Sequence, residues 1–337
     1  LGTIALGGSG EGGAAFHFEA EHSYRETRAR FELEFERRYV RWLLARNQGN
    51  VSAAAREAFG AVRILGQTLT GYRQLVNRPF INPRDNRMVP QTFEAYTLTG
   101  AAKDVSYTGG YITKVKLRES DSFTWMSNTA GGTGSQKGVI YAGGTWDFVK
   151  NGYVKMDDQY GVDVFNTFYV EGKYPIAIND KTSLALGAQY YPQRSVGDEQ
   201  IGSFSTWGMG LQAALAHGPV GLQLYYTQTG DGFDTQNPFG DHASYLNLMQ
   251  VAFNTAGEKA WGIGGNVDFR DLGVPGLTAA AVYADGRDRI NSQTGAAIPD
   301  RYETNVRVDY AVGKGTILEG LVATFRYSWL HQDGSPQ

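Results

Sequence analysis

The sequence predicts a mainly β protein, a transmembrane antiparallel β-barrel preceded by a short α-helical segment. Three observations predict it. Apolar and polar residues alternate with a period of two from about Val62 to the end, the pattern of strands with one apolar face. Several of these runs approach the ~9–11 residues that a tilted strand needs to cross a bilayer. The connections are unequal: some are as short as Gly218-Pro219, others as long as SDSFTWMSNTAGGTGSQKG and TGDGFDTQNPFGDHASY, as in a barrel with turns on one rim and loops on the other. A soluble β-sandwich or β-helix also alternates, with strands of about 5–6 residues, so alternation alone leaves that reading open.

Composition narrows the classes. No stretch approaches ~18 uninterrupted apolar residues, so no transmembrane helix is expected. A barrel wall interleaves lipid-facing and lumen-facing residues, which keeps a mean hydropathy of −0.35 unremarkable. The net charge of −3 gives no global basic field for nucleic acid. Twenty Tyr and 44 Gly suit a close-paired wall with interfacial girdles. Cysteine is absent, so no thiol can mispair in an oxidising compartment. The first residues, LGTIALGGSGEGGAAF, lack the basic start and apolar core of a signal peptide, and residues 1–22 read as an irregular leader. His17, His22, His217, His242 and His331 are scattered, with no metal-ligand spacing. The glycine runs AGGTG and YAGG lack a P-loop lysine. No catalytic residue, cofactor or metal is expected.

In chain order, residues 23–58 are helical in pattern. Ser23 and Glu26 have capping-box spacing. Phe31, Phe35, Tyr39 and Leu43 recur every four residues as an amphipathic stripe. Gly49-Asn50 closes this helix, and Ser52 opens a shorter one. Residues 61–337 form the strand-bearing domain. Its first clear run, DVSYTGGYITKVKLR at 104–118, alternates strictly, with Ile112 the one strong breach. Ile140 to Phe148 follows, then an Asn151-Gly152 hairpin turn. Later runs centre on Val164, Leu186, Leu211, Leu224, Ile263 and Ala281. In YETNVRVDYAV, Tyr302, Thr304, Val306, Val308 and Tyr310 share one face, against Glu303, Asn305, Arg307 and Asp309. Leu321 to Trp329 closes the series. Tyr190, Tyr283, Tyr302, Tyr310 and Trp329 sit at strand ends, where girdles belong. At about 20–25 residues per strand and connection, residues 61–337 hold roughly 11–14 strands.

Lys114, Lys116 and Arg118 alternate along one strand, with Cβ atoms roughly 6.6 Å apart on one face. On an ordinary strand they form a solvated face. If the apolar face meets lipid, they project into the lumen and pass an anion from one weak site to the next. Arg307 and Arg326 lie on polar parities and join that wall, with Asp163, Glu303 and Asp309 as opposite charge.

FINPRDNRMVPQTFEAYTLTG, residues 80–100, and SYLNLMQVAFNTAGEKAWGIGGNVDFRDLGVPGLTAAAVYADG, residues 244–286, resemble segments of the OprD-like substrate-specific outer-membrane porins. The resemblance covers about 60–337. It implies an 18-stranded monomeric barrel in the bacterial outer membrane, with a narrow constriction admitting small anionic or zwitterionic carboxylate-bearing solutes such as amino acids or aromatic acids. A basic ladder and an acidic loop patch set selectivity in that family. The ladder carries over to Arg87, and then to Arg78, Arg84 and the Lys114, Lys116, Arg118 row; Asp234 and Asp241 are candidates for the acidic patch.

Two departures accompany the resemblance. Residues 23–58 look like the start of a Fis-type helix-turn-helix of NtrC-type activators, which makes a DNA-binding regulator fragment the alternative function. The sequence that should supply the reading helix is instead FGAVRILGQTLTGYRQ, whose interior glycines suit a helix poorly. The strand estimate also falls short of 18, and the expectation is a fragment or chimera of a longer barrel.

Overall fold

The computed structural model describes residues 38, 41–42, 45–46, 60–64, 66–84, 89–313, 315 and 317–332. The chain divides into residues 1–60 and 61–337. In the first unit, Arg38, Arg41, Trp42, Ala45 and Arg46 are helical, and the Arg46 guanidinium lies 5.2 Å from the Trp42 ring centre. The rest of the leader and of the expected 23–58 helices, with the helix-turn-helix reading, falls outside the described residues.

The second unit is one antiparallel sheet. Its first strands are β1 (Gly60–Ile64), β2 (Gln67–Gln74), β3 (Thr92–Ala102), β4 (Val105–Lys116), the two-residue β5 (Thr124–Trp125) and β6 (Val139–Val149). The single-turn helix α1 (Met126–Thr129) separates β5 from β6. Then come β7 (Gly152–Gly161), β8 (Phe165–Asn179), β9 (Thr182–Ser195), β10 (Ser205–His217) and β11 (Val220–Thr229). The series closes with β12 (Lys259–Asp268), β13 (Leu277–Arg287), β14 (Arg301–Ala311) and β15 (Val322–Gln332). Neighbours in sequence are neighbours in the sheet, with β5 alone off the path, pairing only β4. The fifteen strands among the described residues exceed the expected 11–14 because the connections on one rim are so short. No pairing joins β1 to β15 among the described residues, so the described sheet is open.

One rim is made of tight turns at Lys103-Asp104, Lys150-Asn151, Asp180-Lys181 and Gly218-Pro219. Asn151 and Gly218 supply the left-handed backbone, at φ 65° and 52°, that such turns require. The opposite rim carries the long segments 75–91, 117–138 and 230–258.

The two faces differ. Segments 75–91 and 230–258 fold against one face, here called inner, and bury Phe93, Ile112, Val139, Phe165, Ile81 and Phe239 in one cluster. On the outer face Ile140, Leu211, Leu224, Ile263, Phe325 and Trp329 are 42–67% exposed. Exposed apolar side chains in such numbers need an apolar surrounding. Aromatic rings edge this band. Tyr190 and Trp207 are in ring contact, as are Trp261, Tyr283 and Tyr302 in series, near the long-loop rim. Phe148 stacks on Tyr174 near the turn rim. From Tyr302 to Tyr310 the strand rises about 26 Å at ~3.3 Å per residue, which matches an apolar band ~25 Å tall.

Candidate functional site

The inner face carries the polar parities. Along β7 it presents Tyr153, Lys155, Asp157 and Gln159; along β8 Thr167, Tyr169, Glu171 and Lys173, in cross-strand register. Gln189 and Gln193 continue the row on β9, and Gln223 on β11 lies opposite Ala214. A wall of amides, phenols and paired charges is suited to water, not to hydrocarbon.

The two long segments are pinned across this wall and to each other. Within segment 75–91, the Arg78 Nε donates to Asp157 at 2.6 Å, and the Gln159 amide donates to the Pro79 carbonyl. Gly143 makes this possible: a Cβ there would collide with the Asp157 carboxylate and the Arg78 guanidinium. Asn82 and Asp241 exchange hydrogen bonds at 3.0 and 2.8 Å. Arg84 donates to the carbonyls of Asn237 and Gly240 at 2.6 and 2.5 Å. Gln91 donates to the Phe239 carbonyl at 2.6 Å.

Segment 230–258 is anchored along its length. Gln193 and Gln236 form a two-way bond, at 2.8 and 2.6 Å. The His242 ring sits edge-on to Phe80 and Tyr191, 5.1 and 5.4 Å between centres, and shares a 2.6 Å hydrogen bond with Thr235. Burial holds its pKa down at about 3, so the ring is neutral. The Tyr245 hydroxyl donates to Glu171 at 3.4 Å. At the far end the Glu303 carboxylate accepts from the backbone amides of Gln250 and Val251 and from the Ser328 hydroxyl, at 3.0, 2.9 and 2.8 Å. Glu258, with no exposed side-chain surface, pairs with Arg301 at 2.6 Å and Arg289 at 3.8 Å.

The expected site residues fall into distinct groups. Arg78 and Arg84, in segment 75–91, are both engaged, the first by Asp157, the second by loop carbonyls and, at 3.8 Å, Asp241. Desolvation lowers the Arg84 pKa, and Asp241 works against that shift. Asp234 accepts from the Ala256 amide at 2.7 Å and ties its own loop. Arg87 lies outside the described residues. Arg307 and Arg326 are directly opposite each other on the inner face, and Asp309 accepts from Arg307 and from Thr324 at 2.5 and 2.6 Å. Glu303 is on the inner face but fully buried, beneath the loop it holds. Asp163 sits in a turn at φ 60°, 3.7 Å from Lys137.

The row at 114–118 requires a correction. The register of β3 against β4 slips between Glu94 and Ala95, leaving Thr113 as an extra residue. Such a bulge reverses the parity beyond it. Tyr107 and Tyr111 share the outer face with Tyr96; Ile112 and Val115, opposite Ala95 and Phe93, point inward. Lys114 and Lys116, opposite Glu94 and Thr92, therefore point outward. Arg118 lies past the strand end, close enough to Arg84 for its charge to act there.

Alternation missed the inward charges Lys155, Asp157 and Lys173, although KMDDQ carries the first two on the parity opposite Val154 and Met156, and VEGKY carries Lys173 opposite Val170 and Tyr174. Arg289 and Glu258, in loops, left no such trace. Among the described residues no cluster of three or more His, Cys, Asp or Glu could hold a metal.

A family model described as outer membrane porin, OprD family, matches residues 46–336. Porin D of Pseudomonas aeruginosa is 24% identical over 261 residues, covering 72% of this chain and 58% of that protein. The chain thus spans less than two thirds of that relative's length. The crystal structure of Pseudomonas aeruginosa OccK9 (OpdG) superposes with a TM-score of 0.75 at 19% identity, over 82% of this chain and 71% of that one. Pseudomonas aeruginosa OpdK with vanillate gives 0.75 at 19%, over 82% and 74%. A BenF-like porin from Pseudomonas fluorescens Pf-5 gives 0.75 at 17%, over 82% and 72%. At these identities the structures speak for the fold.

Proposed function

This chain belongs to the OprD family of outer-membrane porins, a family of channels rather than enzymes, and on that premise we propose that it forms a passive diffusion channel for small carboxylate-bearing solutes. The observation that carries the reading is the pinning of segments 75–91 and 230–258 across a polar inner wall. A lumen narrowed this way passes small solutes by their polar groups and excludes bulky ones. Arg307 and Arg326, with Lys155 and Lys173, provide the positive heads; Glu171 and Asp309 provide the opposing charge. Aromatic acids and amino acids are the proposed classes, the first supported by the vanillate of the similar OpdK structure. The solute crosses by exchanging water for these polar groups, with no bond made or broken. The channel acts as a monomer within outer-membrane lipid, its wall closed by pairing at both sheet edges, since an unpaired edge in hydrocarbon costs several kcal/mol per group.

The test is reversal potential in a planar bilayer under a salt gradient. Anion preference is expected, reduced in the Arg307→Gln/Arg326→Gln variant and retained in Lys114→Gln/Lys116→Gln. Cation preference in the unaltered chain, or no conductance, overturns the proposal.

A further inference from the structure

The bulge that turns Lys114 and Lys116 outward creates a surface that solute guidance does not use. Arg73, Glu94, Lys114 and Trp125 are successive cross-strand partners in one row on the outer face. Thr92 and Lys116 form the next row toward the long-loop rim. Two residues in the other direction along the strands, roughly 6.6 Å away, Tyr96 pairs with Tyr111 and Tyr111 with Ile140, at the edge of the apolar band. The cations thus sit immediately beyond the aromatic edge. That is the depth of lipid headgroups, since Tyr and Trp mark the membrane–water interface.

The patch is organised. The Lys114 ammonium is 3.3 Å from the Glu94 carboxylate and 5.1 Å from the Trp125 ring centre. Arg73 donates to the Thr92 hydroxyl at 3.2 Å and lies 5.7 Å from the Phe123 ring centre. Three cations against Glu94 leave this strand surface with an excess of two positive charges. On the same face of β12 and β13 the charges match one to one: Lys259 pairs with Asp288 at 3.0 Å and Arg287 with Asp285 at 2.7 Å.

We propose that the outward patch of Arg73, Lys114 and Lys116, flanked by Phe123 and Trp125, binds the phosphate of an anionic lipid in the leaflet on the long-loop side. The phosphate is held at the excess positive charge, and the acyl chains run down past Tyr96 and Tyr111. The inference rests on the outer-membrane placement of the family, not on what the lumen conducts.

Native mass spectrometry of the full chain in detergent tests it, with dioctanoyl phosphatidic acid as probe and dioctanoyl phosphatidylcholine and inorganic phosphate as comparisons. One phosphatidic acid is expected to bind in preference to phosphatidylcholine. Affinity should fall about five-fold for each of Lys114→Gln and Lys116→Gln, from the ~1 kcal/mol each cation contributes near an anionic surface. Glu94→Gln should tighten binding, and Lys259→Gln should leave it unchanged. Equal affinities across the variants overturn the proposal, as does displacement by inorganic phosphate at the same concentration, which marks a free-anion site. Conductance measured on the same variants separates the two proposals: it is expected to be unaltered, and its absence from the unaltered chain with lipid binding intact removes the channel alone.

Discussion

Glu303 offers the sharpest test of how segment 230–258 is held against the inner face. Its carboxylate is fully buried and accepts three hydrogen bonds, two from the backbone amides of Gln250 and Val251 and one from Ser328. Glu303→Gln keeps the shape but brings an NH2 group to face one of those donors. A buried donor left unsatisfied costs ~1–3 kcal/mol, and the surviving bonds lose their charge assistance. Relief of the carboxylate's desolvation offsets part of this, leaving a net loss of roughly 2–4 kcal/mol in the docked state of the loop. That raises the undocked population by a factor of about 30 or more. Gln250 and Val251 should then become sensitive to limited proteolysis in detergent, and single-channel records should show added open-state noise with unchanged sign of selectivity. Cleavage and noise identical to the unaltered chain would refute the assignment of Glu303 as a loop anchor.

Two further outcomes follow from the geometry. Leu224, 51% exposed on the outer face, and Gln223, beside it on the inner face, should respond oppositely to arginine: Leu224→Arg costs ~2–4 kcal/mol of folding stability in lipid, Gln223→Arg little, as measured by urea titration in vesicles; equal effects contradict the two-faced wall. The His242 ring is buried with a pKa near 3 and returns toward ~6.5 when undocked, so the undocked form binds more protons between those values. This contribution to the stability of the docked loop is fully present above about pH 6.5, and the docking equilibrium constant falls about tenfold per pH unit from there down to about pH 3; open-state noise should rise on acidification, and His242→Phe should lose that response, whereas an unchanged response in the variant rules His242 out as its source.

Much of the wall was legible because its period survives in the sequence. On β14, Tyr302, Thr304, Val306, Val308 and Tyr310 lie on one face and Arg307 and Asp309 on the other, as the alternation indicates, because a pleated strand has no other way to place them. The Asn151-Gly152 and Gly218-Pro219 turns were legible from turn chemistry. The 114–118 row was not, because a bulge is fixed by cross-strand register. Ile112 was its only local trace: an apolar side chain on the polar parity, which the structure places in the core. The pinning of the two long segments to each other was less legible still. Asn82 meets Asp241 across 159 positions, and nothing local in either residue specifies that pairing. For Glu303 the parity was readable, but its burial depends on the loop that lies over it.

The central claim is that successive residues of one strand meet different solvents. The chain has no cysteine, so single introduced cysteines report it without background. In vesicles, Gln223→Cys and Arg307→Cys should react with a membrane-impermeant maleimide. Leu222→Cys, Leu224→Cys, Val306→Cys and Val308→Cys should stay silent and react only with a lipid-soluble reagent. Reaction at both sets alike, or the reverse pattern, contradicts the account.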